Sequence, residues 1–349
     1  LYSDIGLLSV DVEGIGRCSH LEVAFPHRAL KCEYPPFLEA ARPAGGSAAV
    51  VENRNRPVTV TLDMEDLRPD QALPERVVKM THRVLDLFAE HGVRASVYVV
   101  GELAKARPDL VRRAATDGHE IGLHSWSHVP IPSQSPQTFT EDCRRGRALL
   151  QDLADQAVTG FRAPMMSLVP SAAWALPVIT QTGFTYSSSV LPGPSPLFGW
   201  PGLPRRPFRW LDGPIEFPCP LVRVPGFDLP YLGGTYLRLL PSFVRQYGLR
   251  RSGDDEALWA YCHPWEFDPD EAFHPHQHIG MLASRVAWLR RSRMERQVRQ
   301  LLSDPVARPL GEVARDLADN GSDLPVVDPT RAPEVGRVAR WADGRLRDR

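Results

Sequence analysis

The sequence predicts an α/β fold in which parallel strands form a barrel-like sheet. Apolar, strand-like segments alternate along most of the chain with helical segments of about ten to fifteen residues, and six or more such units are present. Helices of that length connect neighbouring parallel strands. With 349 residues, 43% of them hydrophobic, the chain can bury the large core that such a barrel needs.

The N-terminal part of the sequence departs from this alternation. Residues 5–12 have the apolar, β-branched composition of a strand. Residues 26–57 are rich in proline, glycine and charge and show no sustained periodicity. That composition predicts a loop or an irregular appendage rather than a barrel element.

Residues 58–186 carry the clearest alternation. The predicted elements are, in order, strand 58–62, helix 75–91, strand 93–100, helix 103–116, strand 121–123, helix 138–154, strand 158–161, helix 171–182 and strand 184–186. In the first helix Val77, Val84 and Phe88 share one face, and Gly92 follows as a helix end.

The second half of the sequence is less regular. Residues 191–235 are dense in proline and glycine, which predicts long loops near the mouth of the barrel. The other predicted elements are a short strand at 222–224, a helix at 239–250, a strand at 258–262 and an Arg-rich helix at 285–302 with a solvated charged face. Residues beyond about 323 are Pro-rich and charged, which predicts disorder.

Composition argues against several classes of function. The net charge of -1 gives no overall field that would favour nucleic acid or an anionic membrane, and the apolar runs are too short to span a bilayer. The five cysteines are scattered without a Cys-x-x-Cys pair, and the first residues do not resemble a secretory leader. We therefore expect a cytoplasmic protein; an oligomer is compatible with the sequence but is not predicted by it.

Two histidines follow a short predicted strand. His124 and His128 are four residues apart, so on a helix or in a tight turn both imidazoles reach one side of the backbone. A divalent metal needs two such nitrogens, although a pair of this spacing also occurs by chance. A third ligand is required before the pair predicts a site.

Polar side chains also follow three other predicted strands. Asp63 and Glu65 are two residues apart after strand 58–62, Arg162 follows strand 158–161, and His263 follows strand 258–262. In parallel α/β folds these strand ends meet on one face, where sites are built. The alternative is that the acids are solvated and that the arginine forms a rim ion pair.

These residue types suit metal-assisted hydrolysis. Two histidines and one carboxylate leave an open position for water, whose pKa the metal lowers. A second carboxylate can take the proton, a histidine can protonate the leaving group, and Arg162 can orient the base. Trp126 and Trp265 could wall an apolar pocket, although packing alone is common for such residues.

Several motifs resemble one family. They are Thr-Leu-Asp-Met-Glu-Asp at 61–66, His-Ser-Trp-Ser-His at 124–128, Phe-Arg-Ala-Pro at 161–164 and His-Pro-Trp-Glu-Phe-Asp at 263–268. In order and spacing they resemble the polysaccharide deacetylase superfamily, which has NodB homology and is similar to carbohydrate esterase family 4. Residues 233–241 resemble the branch that accompanies exopolysaccharide gene clusters, and the resemblance covers residues 57–318.

The resemblance implies a fold and an activity. The fold is a deformed (β/α)7-type barrel at 57–318 with long mouth loops, an N-terminal appendage at 1–56 and a disordered tail at 319–349. The implied activity is metal-dependent hydrolysis of an N-acyl amide, chiefly N-acetyl, on an amino sugar or glycoconjugate. The implied partner is an N-acetylated sugar or a small amide.

The resemblance also implies residue roles. Asp63 is the general base, oriented by Arg162, and His263 is the general acid. The ligands of the divalent metal, expected to be Zn²⁺, are Glu65, His124 and His128. The residues expected in the substrate pocket are Trp126, Pro164, Trp265 and Glu266.

The sequence departs from the family pattern in three ways. Glu65 stands where many relatives have aspartate, and Ser187 stands where an aspartate often tunes the acid His263. Asp11 and Glu13 also repeat the base-and-ligand motif after a predicted strand. We favour Asp63 and Glu65 because they precede the helix and strand that lead directly to His124.

Two other functions remain open from the sequence. The same superfamily includes allantoinase-like amidohydrolases that open cyclic imides or ureides. A non-catalytic carbohydrate-binding relative is the other alternative, and the serine at position 187 is the feature that favours it.

Overall fold

The computed structural model describes residues 56–66, 74–195, 197–224, 227–276, 280–320 and 323–331, and the backbone of two further strands, His20–Phe25 (β1) and Arg28–Glu33 (β2). The chain divides into two compact units, Leu1–Asn53 and Arg54–Arg349. In the first unit β1 and β2 pair as an antiparallel hairpin. The prediction of an irregular segment over 26–57 is therefore wrong for β2. The predicted strand at 5–12, with Asp11 and Glu13, lies outside the described residues.

The second unit combines strands and helices. Its strands are Thr59–Met64 (β3), Ser96–Val99 (β4), Glu120–Leu123 (β5), Gly160–Phe161 (β6), Tyr186–Ser187 (β7), Phe208–Trp210 (β8), Ile215–Glu216 (β9), Leu221–Val224 (β10), Phe227–Pro230 (β11), Trp259–Cys262 (β12) and Val326–Val327 (β13). Its helices are Pro74–Glu90 (α1), Gly101–Ala106 (α2), Pro108–Thr116 (α3), Pro136–Ala154 (α4), Ala175–Gln181 (α5), Gly234–Leu239 (α6), Ser242–Arg251 (α7), Met281–Trp288 (α8), Met294–Leu302 (α9) and Leu310–Asp319 (α10).

One sheet organises this unit. Its strand order is β12-β3-β4-β5-β6-β7-β9-β8-β13, while β10 and β11 form a separate hairpin. The first seven strands of that order are parallel neighbours, β8 runs antiparallel to β9, and β13 runs parallel to β8. Among the described residues the end strands β12 and β13 are not paired with each other. The predicted α/β class with a mostly parallel sheet is confirmed, and the barrel is deformed and open.

The alternation of side chains along β3 separates the core from the site. Val60, Leu62 and Met64 are buried in the main apolar core. Thr61 and Asp63, which alternate with them, point to the other face of the sheet. Burial on both faces stabilises the strand and holds Asp63 at a rigid carboxyl end.

Three predicted helices are interrupted in the structure. The helix predicted over 103–116 is divided at Arg107, and the one over 239–250 is divided at Leu240. Both residues precede a proline, whose ring disfavours the helical conformation of its predecessor. The helix predicted over 285–302 is divided where Arg290 takes a left-handed conformation with φ of 56°.

Two segments predicted without regular structure contribute to the sheet. The loop region 191–235 contains β8 and β9, which are too short for periodicity to reveal them. The disordered tail predicted at 319–349 is corrected over 323–331, because β13 pairs with β8. None of the helices in the described part of the chain is long and apolar enough to cross a bilayer.

Candidate active site

Neighbouring strand ends deliver the predicted site residues to one place. Asp63 is the last but one residue of β3, and Glu65 directly follows that strand. His124 directly follows β5, Arg162 follows β6 and His263 follows β12. These strands lie near one another in the order β12-β3-β4-β5-β6. Because the strands are parallel, their carboxyl ends share one edge of the sheet.

A carboxylate and two imidazoles form a candidate metal site. Glu65 Oε2 lies 2.6 Å from His128 Nε2 and 3.6 Å from His124 Nε2. One ligand atom from each of the three residues lies within 4.8 Å of the others. Glu65 Oε2 is buried and has no hydrogen bond of good geometry, so a cation would satisfy it. The donor set of two nitrogens and one oxygen suits zinc.

Interactions around the triad fix its protonation. His124 Nδ1 lies 2.9 Å from the backbone carbonyl of Arg162, so Nδ1 carries the proton and Nε2 presents its lone pair to the site. Burial opposes ionisation of Glu65, but His128, His263 and His124 together hold its pKa well below the usual range. Glu65 is therefore a carboxylate ready to bind a cation.

The His124–His128 segment is a tight turn rather than a helix. Ser125 and His128 both have positive φ, 61° and 55°. The Ser125 hydroxyl accepts a 3.0 Å hydrogen bond from the His128 backbone N–H. The backbone carbonyls of Ser125 and Trp126 accept hydrogen bonds from the first residues of α2. These contacts bring the two imidazoles to one side at a spacing of four residues.

Arg162 is fully buried and orients Asp63. One of its terminal nitrogens donates to Asp63 Oδ1 at 2.5 Å and to the Thr61 hydroxyl at 2.8 Å. The guanidinium carbon lies 4.0 Å from the Tyr98 ring centre and 4.2 Å from that of Trp259. Burial disfavours the charge, but Asp63 raises the pKa of Arg162 above its ordinary value. The guanidinium therefore stays charged and leaves Asp63 Oδ2 directed at the site.

A buried polar network continues behind Arg162. The Tyr98 hydroxyl donates to the Tyr186 hydroxyl at 3.1 Å, and Tyr186 donates to Glu120 Oε1 at 2.7 Å. Glu120 Oε2 accepts from the Ser96 hydroxyl at 2.6 Å and from the Gly311 backbone N–H at 3.0 Å. Burial raises the pKa of Glu120 and of both tyrosines. The network connects the floor of the site to the start of α10.

His263 faces the two site carboxylates. Its Nε2 lies 3.8 Å from Asp63 Oδ2 and 3.7 Å from Glu65 Oε1. Its Nδ1 lies 2.9 Å from Glu266 Oε2, and Glu266 Oε1 is paired with Arg238 at 2.7 Å. Burial alone would lower the pKa of His263, but Glu266, Glu65 and Asp63 raise it to about 9. The imidazole is therefore protonated near neutral pH.

The structure gives Glu266 a place that the sequence reasoning missed. Glu266 was predicted in the substrate pocket, but it is fully buried beneath His263 and contacts Nδ1. Ser187, whose side chain cannot supply a charge, donates to the Ser189 hydroxyl at 2.7 Å. The charge beside the acid thus comes from Glu266. The His-x-x-Glu spacing of a capping box was the signal that could have revealed it.

A cleft of about 240 Å³ opens above these groups. Its polar floor is made by Asp63, Glu65, His124, His128 and His263. Its walls are largely apolar and include Met165, Met166, Leu191, Leu197, Phe198, Tyr236, Tyr261, Trp265 and Ala287. Trp265 stacks on His263 with ring centres 4.9 Å apart and donates to Glu65 Oε1 at 3.1 Å.

Two predicted pocket residues lie elsewhere. Trp126 packs against Gly101, with the Arg145 guanidinium 4.0 Å from its ring centre. Pro164 is buried at the start of a short 3₁₀ helix, whose Met165 and Met166 line the cleft instead. Of the four predicted pocket residues, the structure places Trp265 in the cleft wall.

Two sequence families match consecutive parts of the chain. Residues 51–187 match the family described as polysaccharide deacetylase. Residues 188–314 match a domain of unknown function, DUF3473. The boundary falls within the sheet, so the first family contributes the candidate metal ligands, Asp63 and Arg162, and the second contributes His263 and Glu266.

Individual relatives agree with this assignment. The chain is 30% identical over 87 residues to a peptidoglycan-N-acetylglucosamine deacetylase from Bacillus cereus, which is 25% of this chain and 32% of the relative. It is 34% identical over 85 residues to a chitooligosaccharide deacetylase from Sinorhizobium fredii, or 24% of this chain and 40% of the relative. The chain thus spans about a third to two fifths of the length of these relatives.

A solved structure shares the fold. The crystal structure of a protein assigned as a polysaccharide deacetylase from Mycobacterium smegmatis superposes with a TM-score of 0.53 at 19% sequence identity. The match covers 84% of this chain and 99% of the other. It therefore includes both the polysaccharide deacetylase segment and the segment that follows it.

Proposed function

We propose that the chain, whose residues 51–187 match the polysaccharide deacetylase family, removes the N-acetyl group from an amino sugar in a metal-dependent hydrolysis. One observation carries the proposal. The carboxylate pair, the two imidazoles of the turn and the protonated His263 converge on one cleft from three separate strand ends. In this proposal the set supplies a base, an acid and a cation site that can all reach one amide bond of the substrate.

The residues present fit a bound divalent cation, and zinc is the metal that we propose. Glu65, His124 and His128 would hold it, leaving a position open for water or substrate. The cation would polarise the acetyl carbonyl and lower the pKa of a bound water.

Asp63 is proposed as the base. Arg162 occupies Oδ1, so Oδ2 remains to accept a proton from the attacking water. The paired guanidinium holds the carboxylate in one rotamer and compensates its buried charge. Asp63 is not one of the three candidate metal ligands, so it can accept the proton while all three ligands hold the metal.

His263 is proposed as the acid. Its Nε2 faces the cleft floor and can donate a proton to the amide nitrogen as the carbon–nitrogen bond breaks. Acetate and the free amine of the sugar are then the products. Glu266 on Nδ1 fixes the ring and maintains its protonated form. The apolar wall with Trp265 suits the face of a sugar ring and the acetyl methyl group.

The experiment is acetate release from N-acetylglucosamine oligosaccharides by the zinc-loaded protein. We expect release that a chelator abolishes and that His263→Ala reduces by at least about a hundredfold, the usual contribution of a general acid. Glu141→Gln, at an exposed position on α4, is the control and should retain full activity. Ring opening of a cyclic imide without acetate release, or full activity without metal, would contradict the proposal. The cytoplasmic location stays a prediction.

A further inference from the structure

An exposed apolar helix face lies beside the cleft. The exposed fractions are 78% for Leu282, 54% for Met281, 52% for Leu289 and 38% for Val286. The other side of α8 is anchored, because Ser284 is buried, Ala287 lines the cleft and Trp288 stacks parallel to Trp265. Whatever contacts the exposed face would therefore lie next to the catalytic opening.

Exposed arginines lie in α8 and directly after it. Arg285, Arg290 and Arg293 are exposed, and no carboxylate is paired with any of them in the part of the chain that the structure describes. Two acids of this region are paired with other arginines. Glu271 pairs with Arg291 at 2.8 Å, and Glu295 contacts Arg299 at 3.1 Å.

We propose that the exposed side of α8 (Met281, Leu282, Arg285 and Val286), together with the exposed residues that follow the helix (Leu289, Arg290 and Arg293), docks the protein on an anionic lipid surface. Apolar side chains next to cations are the combination that binds at a membrane interface, where the former enter the headgroup boundary and the latter contact lipid phosphates. A net charge of -1 does not oppose this, because charges beyond about 10 Å are screened by salt.

The position of the face suggests how substrate would reach the cleft. If the proposed deacetylation is correct, its amino sugar is carried by a membrane lipid and enters beside Ala287. The proposal of a lipid-linked substrate rests on the proposed function, whereas the docking proposal does not. The two are therefore tested by different measurements.

Docking is tested by co-sedimentation of the full chain with vesicles. We expect binding to mixed phosphatidylglycerol and phosphatidylcholine vesicles that weakens with salt, and little binding to phosphatidylcholine alone. Each arginine near such a surface contributes about 1 kcal/mol, so Arg290→Ala/Arg293→Ala should bind roughly 30-fold more weakly. Leu282→Ser should weaken binding roughly tenfold. Leu211→Ser, at a leucine that is 49% exposed on another part of the surface, is the matched control and should bind like the wild type.

Several outcomes would overturn the docking proposal. They are absence of sedimentation with anionic vesicles, equal loss in Leu211→Ser, or a dimer in solution that Leu282→Ser dissociates. Turnover of a soluble and of a lipid-linked substrate tests the lipid-linked substrate separately from the proposed function. We expect Leu282→Ser to keep wild-type activity on a soluble N-acetylglucosamine oligosaccharide and to lose activity on an N-acetylglucosaminyl lipid in vesicles. Equal activity of both proteins on both substrates would overturn the proposal of a lipid-linked substrate. Inactivity of the wild type on both substrates would overturn the proposed function and leave the docking proposal standing.

Discussion

Glu266 controls the charge of the proposed acid. Its carboxylate contacts His263 Nδ1 and makes the largest of the charge contributions that raise the pKa of this imidazole to about 9. Because the folded-state pKa is raised, the acid is protonated below about pH 9 and activity should fall as the pH rises through that value. In Glu266→Gln the amide oxygen can still accept a hydrogen bond from Nδ1–H, but the negative charge is gone. We expect the alkaline limb of the pH profile to move down by about one unit or more.

The measurement is kcat/KM against pH for wild type and Glu266→Gln, with Glu141→Gln as the control. Arg238 loses a buried partner in this variant, so a melting curve must accompany the profile. Glu266→Asp keeps the charge and should restore much of the alkaline limb. An unchanged limb in a folded Glu266→Gln would refute the assigned role.

Glu65 is the anionic member of the candidate metal site. Glu65→Gln removes the charge but keeps the size of the side chain, so zinc affinity should fall by at least about a hundredfold. Elemental analysis after identical zinc loading measures this. Glu13→Gln is the matched comparison, because Glu13 belongs to the repeated motif. Metal retained in Glu65→Gln and lost in Glu13→Gln would reverse our assignment.

The positions of some site residues could be predicted from the sequence, and those of others could not. Asp63, Glu65 and His124 follow recognisable strands, so their proximity could be predicted from the parallel topology alone. The contact of Glu266 with His263 depends on a short 3₁₀ turn at Pro264–Phe267, which leaves no periodic signal. The position of Trp126 depends on which face of its turn meets α2, and Gly101 allows that close approach.

At the scale of elements, the turn at 124–128 sets the geometry of the proposed ligands. Ser125→Ala removes the acceptor of the His128 N–H bond, which should cost about 1 kcal/mol of stability. The bond joins two residues with positive φ in the turn that carries both imidazoles, so we expect zinc affinity to fall by roughly tenfold as well. Ser127→Ala, in the same turn, is the control. A competition titration with a zinc indicator measures both variants, and equal affinities would argue against this role of Ser125.

The boundaries of the elements were harder to predict than their type. Helices α1 and α4 are confirmed because long amphipathic patterns mark them, and strands β3, β4, β5 and β12 are confirmed at apolar segments that alternate with the helices. The divided helices depend on single residues such as Arg107 and Leu240, where the following proline outweighs an unbroken helical pattern. The strands of the 191–235 region have two to four residues, and tertiary pairing rather than local preference determines them.

At the scale of the whole molecule, the sheet ends in a strand that the composition of the sequence did not reveal. β13 lies seven strands away from β3 in the sheet order. The carbonyl of Pro325, directly before β13, and that of Val327 accept hydrogen bonds from the backbone N–H groups of Arg209 and Leu211, both at 2.8 Å. A chain ending after Asn320 loses these two bonds, which contribute about 2 kcal/mol. With about 2.1 cal/mol/K of unfolding entropy per residue, each kcal/mol corresponds to about 1–2 °C in Tm for a chain of 349 residues. We therefore expect a lower Tm with unchanged kcat/KM for the folded protein.

The matched control is a chain ending after Arg331, which keeps β13 and should melt like the full-length protein. Differential scanning calorimetry and the acetate-release assay on both shortened chains separate the stability of the sheet edge from the chemistry. Equal Tm values for the two would show that β13 does not stabilise the edge strand β8. Loss of kcat/KM with an unchanged Tm would instead connect this edge of the sheet to the site.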